Sequence, residues 1–493
     1  MNRRTLRAAC PPTRPTPGAL LLVLLVLLQM PLGAADEPRG LTLHPENPRY
    51  LSFRGKPTLL ISSGEHYGAV LNLDFDYRRY LDELHSKGLN HTRTFSGVYR
   101  EIPGSFGITD NTLAPLPGRY AAPWARSTTP GYFDGGAKFD LSKWDEAYFL
   151  RLVDFVREAG RRGIVVELDL FCPMYEDSLW RACPMSSENN VNGVGQCARE
   201  EVYTLKHPDL LAVQLAVTRK IVEALREEDN LYYEVCNEPY FGGVTMEWQE
   251  RVAETIAEAE KAFPSRHLIS LNIANGSAKV EKPHAAISIF NFHYAVPPDA
   301  VALNYGLKKP IGENETGFRG KEDVLYRTEG WEFLLAGGAL YNNLDYSFTC
   351  RHPDGSFRGY ASPGGGSPEL RSQLKILKDF LHGFDFVRMA PDPAVVKGGV
   401  PAGLRARALS EPGKACAVYI HAPFGSKKGP PTDAKSWKID LTLDLPAGAY
   451  RAEWLGTRSG KVEKSEDLEH AGGARRLASP EFTEDIALGV KRR

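Results

Sequence analysis

Short runs of β-branched and apolar residues alternate along this chain with stretches whose apolar positions recur every three to four residues, the pattern of repeated strand–helix units. The first run, Thr58 to Ser63, leads into Gly64-Glu65-His66-Tyr67. Asp74 to Lys87 follows, with Tyr77, Tyr80, Leu81 and Leu84 on one helical face and Gly88 after the last turn. Further strands are predicted over Leu89 to Phe95, Ile164 to Phe171, Tyr232 to Cys236, His267 to Ile273, Ala286 to Tyr294, Lys309 to Gly317 and Leu340 to Phe348. Helical spacing over Lys143 to Arg162, Pro208 to Glu228, Thr245 to Ala262, Glu322 to Ala336 and Glu369 to Phe384 separates most of them. Eight strands in this order are the number a closed parallel barrel needs. The fifth and sixth strands are joined by too little helix for a full unit, so one outer helix is expected to be short or missing.

Beyond Pro391 the pattern changes to brief alternating strands, at Ala406 to Ser410, Ala415 to His421, Trp437 to Leu443, Tyr450 to Leu455 and Ile486 to Val490. The expected fold is therefore α/β, a (β/α)8 TIM barrel over residues 36–390, followed by a small antiparallel β-sandwich over residues 391–493. Pro423 to Ala434 reads as a polar loop within the sandwich. A long insertion from Ser96 to about Lys138 interrupts the barrel pattern. Its Tyr99, Phe106, Tyr120, Trp124, Tyr132 and Phe133 mark it as an ordered loop.

Composition narrows the function classes. The 493 residues are 42% hydrophobic, enough for one large core and a smaller one, and the formal net charge is -1. No basic stripe points to nucleic acid. Arg3, Arg4, Arg7 and Arg14 precede the apolar run Ala19 to Met30 and the small residues Gly33-Ala34-Ala35, which reads as a secretory signal over residues 1–35. A secreted or periplasmic monomer, with no membrane attachment after signal cleavage, is expected. Six cysteines remain beyond the signal and none forms a C-x-x-C pair, so neither a structural zinc nor any other metal or cofactor is expected. Cys183 and Cys197 bracket a polar loop and suggest a local disulfide.

The chemistry concentrates at strand ends. The apolar run Tyr232-Tyr233-Glu234-Val235-Cys236 stops at Asn237-Glu238-Pro239, because proline cannot continue a central strand. In a parallel barrel that end lies on the catalytic face, which makes Glu238 a candidate general acid, against the plainer reading of a capped loop glutamate. Cleaving a glycosidic bond needs a second carboxylate across the anomeric carbon. The seventh strand, Lys309-Pro310-Ile311-Gly312-Glu313-Asn314-Glu315-Thr316-Gly317, offers two, and the period of two puts Glu313 and Glu315 on one face. Glu315 lies nearer the strand end.

These residues give the chain a resemblance to the clan A retaining glycoside hydrolases, of the cellulase, mannanase and apiosidase-like kind. Asn237-Glu238-Pro239 matches the clan's fourth-strand Asn-Glu pair, and Pro310, Glu315 and Gly317 match its seventh-strand Pro-x-x-x-x-Glu-x-Gly. Gly88-Leu89-Asn90-His91-Thr92-Arg93 matches Gly-Leu-Asn-x-x-Arg at the second strand, and Tyr450, Trp454, Thr457 and Gly460 follow a motif of the small terminal β-domain. The resemblance implies Glu238 as acid/base and Glu315 as nucleophile on a polysaccharide or oligosaccharide, with Arg93 and Asn237 holding Glu315 and the sugar. It also implies a separation of about 5–5.5 Å between the two carboxyl groups, with Glu238 kept protonated by a dry site.

Two positions depart from the clan. The usual His-x-Tyr of the sixth strand is here the adjacent pair His293-Tyr294, and the usual tryptophan ending the eighth strand is absent, with Tyr346 nearby. His66, Tyr67, His293, Tyr294 and Tyr346 complete the expected substrate-binding set. Glu167 and Asp169 are expected inside the barrel, and Trp331 and Glu332 beside the cleft. The rival expectation is a non-catalytic carbohydrate-binding or surface-adhesion protein on the same scaffold.

Overall fold

A computed structural model of the chain describes residues 40–423 and 435–493. The signal segment and most of the Pro423 to Ala434 loop lie outside the described residues. Eight strands form one parallel sheet: β1 Leu60–Gly64, β2 His91–Phe95, β3 Val165–Phe171, β4 Leu231–Cys236, β5 Leu268–Asn275, β6 Ile289–His293, β7 Ile311–Glu315 and β8 Leu340–Leu344. From β2 to β8 each strand pairs with the next in sequence, and β8 pairs with β1. Between β1 and β2 the ring is completed by Asn90, whose side-chain oxygen accepts from Ile61 N at 3.0 Å. The result is a TIM barrel.

Helices α1 Tyr77–Ser86, α2 Glu146–Arg161, α3 Pro208–Ala224, α4 Met246–Ala259, α5 Asp299–Asn304, α6 Asp323–Leu335 and α7 Pro368–His382 pack around it. Asp76, Asp145, Thr245 and Ser367 cap α1, α2, α4 and α7 with side-chain oxygens that accept first-turn amides. As the spacing predicts, no helix joins β5 to β6 among the described residues, and α5 between β6 and β7 has only 6 residues. A small sheet of Leu41–Leu43, Leu51–Phe53 and Lys56–Thr58 covers the end away from the site, where Leu41 and Leu51 pack with Leu60, Val165, Tyr232, Ile289 and Leu340.

The upper barrel lumen is polar. Arg93, Glu167, Asp169, Glu234, Asn291 and Asn314 point inward and bond one another, so Glu167 and Asp169 serve the lumen network as expected. The strand β7 departs from simple alternation. Phe292 pairs with Glu313 but the next residue, His293, pairs with Glu315, so Asn314 is an extra residue, a bulge. The bulge separates the two glutamates that the period of two places on one face. Glu315 stays at the mouth, while Glu313 turns to the Ala295 amide, which donates to it at 2.6 Å, and to Glu329 of α6.

After α7 two antiparallel sheets form the β-sandwich. One runs in the order Ala390–Pro391, Arg405–Glu411, Ala415–His421, Asp485–Arg492, Gly448–Leu455, Val462–His470; the other is Val396–Gly398, Asp440–Leu445, Gly473–Ala478. Val462–His470 carries mostly charged residues, and the short Gly473–Ala478 is interrupted by Arg475 and Arg476, so both escape the apolar pattern. Between the sheets lies a second core around Trp454, Leu441, Leu443 and Val418. The opposite face of the larger sheet rests on the barrel. Trp331 of α6 stacks on Tyr419 at 5.1 Å, Arg327 reaches Asp485 at 2.7 Å, and Glu332 meets His421 at 3.0 Å. Trp331 and Glu332 thus hold the sandwich rather than line the cleft.

Candidate active site

The C-terminal ends of the strands surround a pocket enclosing about 370 Å3, including its open mouth. It is lined by Glu238 and Asn237 from the end of β4, Glu315 from β7, Tyr294 after β6, His66 and Tyr67 after β1, and Glu101, Phe106, Leu113, Tyr175 and Phe318 from loops. Glu238 and Glu315 face each other with His293 between them. One nitrogen of His293 and one oxygen of each carboxylate all lie within 4.8 Å of one another. His293 Nδ1 is 3.2 Å from Glu238 Oε1 and 3.5 Å from Glu315 Oε1.

Glu315 is held from two sides. Arg93 Nη1 donates to Oε2 at 2.9 Å and the Tyr294 hydroxyl to Oε1 at 2.6 Å. Arg93 is itself fixed in the lumen, donating to Glu234 at 2.6 Å, Asn237 at 2.7 Å and Asp169 at 2.9 Å, with Tyr67 over its guanidinium plane at 4.6 Å. Tyr294 reaches Glu315 although it follows His293 directly. Its φ of 50° turns the backbone into the left-handed region and swings the ring across the mouth, which replaces the missing spacer residue. Tyr67 and Glu238 share this conformation, at φ 54° and 37°. Three such non-glycine residues around one pocket hold local strain of order 1–3 kcal/mol each.

Glu238 accepts from Tyr175 Oη at 2.6 Å and Tyr240 Oη at 3.2 Å, besides His293. Tyr175 also receives the Asn237 side-chain amide at 2.9 Å, so the Asn-Glu pair is locked through one phenol. Burial raises the Glu238 pKa, but the His293 contact and the two phenols outweigh it and hold the carboxyl below its ordinary value. For His293, burial favours the neutral ring, yet Glu315 and Glu238 outweigh it and raise its pKa. This corrects the expectation of a dry, protonated Glu238. Hydrogen-bond donors surround the carboxyl and favour its charged form, with His293 Nδ1 3.2 Å away.

On the far side of Glu315, His66 Nε2 lies 3.3 Å from both oxygens of Glu101. Burial opposes the charged ring, while Glu101 attracts it and shifts the His66 pKa upward on balance. Tyr346 sits behind, its ring 6.1 Å from His66 and 6.5 Å from Phe318. Of the expected binding residues, His66, Tyr67, Asn237 and Tyr294 line the pocket, while Arg93, His293 and Tyr346 stand directly behind its wall. Tyr175, Tyr240 and Glu101 escape the sequence reading, because they lie on irregular loops whose path no periodicity encodes.

The disulfide expected between Cys183 and Cys197 is not formed, and both are free thiols. Cys183 is buried with its sulfur 3.4 Å from the Val98 carbonyl, while Cys197 is only half-buried. The loop between them is ordered by Asn189 and Asn190 instead, whose amides donate to the carbonyls of Arg181, Cys183, Ser186 and Val194.

No protein-family model matches the chain, and no curated protein sequence matches it. Solved structures do. A Bacteroides vulgatus ATCC 8482 protein assigned as a glycoside hydrolase aligns with a TM-score of 0.63 at 13% identity, covering 94% of this chain and 84% of its own. A family 5 glycoside hydrolase from the same organism gives 0.57 at 15% identity over 92% and 93% of the two chains. The fold is the one those structures share. A third, described simply as a glycoside hydrolase, gives 0.59 at 15% identity over 92% and 97%. The shared architecture reaches beyond the barrel into the β-sandwich, given that coverage. Among the described residues no helix is long and apolar enough to cross a membrane.

Proposed function

We propose that the protein is a retaining glycoside hydrolase that works outside the cytoplasm on an oligosaccharide or polysaccharide. The observation that carries this reading is the closeness of Glu238 and Glu315, whose nearest oxygens lie within 4.8 Å. Retention through a covalent intermediate uses carboxyl groups about 5–5.5 Å apart, whereas inversion leaves about 6.5–9.5 Å for a water molecule. Glu315 attacks the anomeric carbon and forms a glycosyl ester, while the leaving oxygen takes a proton from Glu238. In the second half, water adds to the anomeric carbon, Glu238 accepts its proton, and Glu315 departs as a carboxylate.

His293 Nδ1, 3.2 Å from Glu238 Oε1, is placed to hand Glu238 the proton that the leaving oxygen takes and to receive it back from Glu238 after water has attacked. Arg93 and Tyr294 hold the oxygens of Glu315 on which negative charge reappears when the ester breaks. A binding protein that never turns over has no use for this paired arrangement with its separate anchoring of each carboxylate. The test is a panel of aryl glycosides with wild-type protein, Glu315→Ala and Glu238→Ala. Activity abolished by Glu315→Ala is expected, and equal rates for all three proteins would discard the reading.

A further inference from the structure

We infer that the pocket is closed on the glycone side and takes one uncharged sugar residue from the non-reducing end of its substrate, read by His66 under the control of Glu101. This inference rests on the glycosidase reading above and adds the mode of attack and the class of sugar.

The direction of the substrate follows from the two carboxylates. The leaving group must lie beside the acid/base, where Tyr240 and Phe241 stand at the rim, 36% and 44% exposed. The glycone then lies towards β1, β2 and β8. On that side the long insertion after β2 is nailed down over the end of β1. The Thr112 hydroxyl lies 2.6 Å from a Glu65 oxygen and 2.9 Å from the His66 carbonyl, and Asn72 donates to the Thr112 carbonyl at 2.9 Å. A Cβ on Gly68 would come within 2.3 Å of the Thr112 carbonyl, so only glycine permits this approach.

From there the insertion reaches the loop after β8. The Thr109 amide donates to Ser362 at 3.1 Å, and the Ala361 amide donates to the Thr109 hydroxyl at 2.9 Å. These bonds join the insertion to the loop after β8 above β1, and the joined loops are the wall that closes the glycone side in this proposal.

Inside this wall the polar groups are matched to one ring of hydroxyls. His66 Nδ1, Tyr67 Oη and Tyr346 Oη are buried and have no partner in the protein. His66 and Tyr67 line the pocket, with Tyr346 behind them, so two unpaired polar atoms belong to residues of the cleft wall, where a ligand can bond them. Glu101 fixes the His66 ring through Nε2 and is itself held by Tyr99 at 3.3 Å and by Asn111. Among the described residues no lysine or arginine lines the pocket, and the two imidazoles of the site are already engaged by carboxylates, His66 by Glu101 and His293 by Glu238, while Glu101 itself stands beside the glycone. A uronic acid or sulfated sugar would meet that carboxylate with no cation left free to pair with it.

The inference is tested on the full chain, with the sugar preferred in the aryl-glycoside panel and its oligosaccharides labelled at the reducing end. Early release of monosaccharide, leaving the label on a chain one unit shorter, is expected. Early internal fragments overturn the closed pocket while the glycosidase reading stands; undiminished hydrolysis by Glu315→Ala overturns that reading itself. The matching 4-nitrophenyl uronide should react at least about 100-fold more slowly, and equal turnover refutes the exclusion of charged sugars.

His66→Ala is compared with wild type on the 4-nitrophenyl glycoside and its monodeoxy analogues. We expect kcat/KM to fall about 50-fold on the parent and less than about fivefold on the analogue that lacks the hydroxyl His66 reads. A uniform loss across all analogues refutes the assignment. Glu101→Gln keeps the acceptor oxygen and guards against a folding artefact. It should raise KM with kcat nearly unchanged, and an unchanged KM counts against Glu101 as the positioning residue.

Discussion

Replacing Tyr294 with phenylalanine isolates one hydrogen bond in the candidate site. The ring, its packing on Phe318 at 5.9 Å and the left-handed backbone all remain, and only the hydroxyl that donates to Glu315 Oε1 at 2.6 Å is lost. The other donor beside Oε1, His293 Nδ1, lies at 3.5 Å, too far away to take its place. A hydrogen bond to a charged group contributes about 1.5–3 kcal/mol. The bond is made to a full carboxylate when Glu315 departs but to a nearly neutral ester oxygen in the covalent intermediate, so most of that energy falls on the second step. At about 1.4 kcal/mol per decade, deglycosylation should slow roughly 10- to 150-fold.

The assay is stopped-flow release of dinitrophenolate from an activated aryl glycoside. Tyr294→Phe should give a burst equal to the enzyme concentration, then a slow steady state, with kcat and KM falling together because the intermediate accumulates. A steady-state kcat within about twofold of wild type, with no burst, would show that the short contact does not act on the departing carboxylate.

Glu238→Ala should lose about 100- to 10,000-fold on glycosides with poor leaving groups and far less on dinitrophenyl glycosides. Added azide should restore its rate and give a glycosyl azide of retained configuration, detectable by NMR. Arg93→Ala leaves Asp169, Glu234 and Glu167 buried without their cation, and chemical denaturation should show a loss of about 3–5 kcal/mol. Glu65 is wholly buried, and burial pushes its carboxyl up to about 7 against the opposing bonds from Thr112, Gly68 and Ala69. Its folded pKa exceeds the unfolded one, so its stabilisation is complete below about pH 4.5 and is lost as pH rises through 7, a change of about 3 kcal/mol. Glu65→Gln should flatten that part of the Tm-versus-pH curve, and an unchanged slope would count against it.

Much of the architecture is legible in the sequence because it follows from periodicity. Eight apolar runs ending in Gly, Pro or polar residues place Asn237-Glu238-Pro239 fourth and Glu315 seventh, and the barrel brings the two together. Local exceptions to periodicity are not legible. The bulge at Asn314 inserts one residue and sends Glu313 away from Glu315, which no count of alternating positions shows. Tyr294 stands one residue early only if the strand's negative φ continues, whereas its backbone turns the other way. Tyr175 and Glu101 take their places from loop paths fixed by contacts far away in sequence, such as Thr112 with Glu65 and Thr109 with Ala361. The Glu238 pKa is hidden for a related reason: the apolar strand signals dryness, but the donors that offset it come from three separate segments.

The seam between α6 and the β-sandwich bears on how the molecule comes apart. Arg327 is buried and holds Asp485 through two nitrogens, at 2.7 and 3.1 Å, as well as Glu484 and Gln373. The same helix packs its other side against β8, where Gly330 meets Tyr341. A chain cut after residue 390 would leave the Arg327 guanidinium without its two carboxylates and the Trp331 face open to water. Heat should therefore melt barrel and sandwich in a single calorimetric transition, and the terminal domain is a structural buttress of the barrel wall rather than an exchangeable accessory.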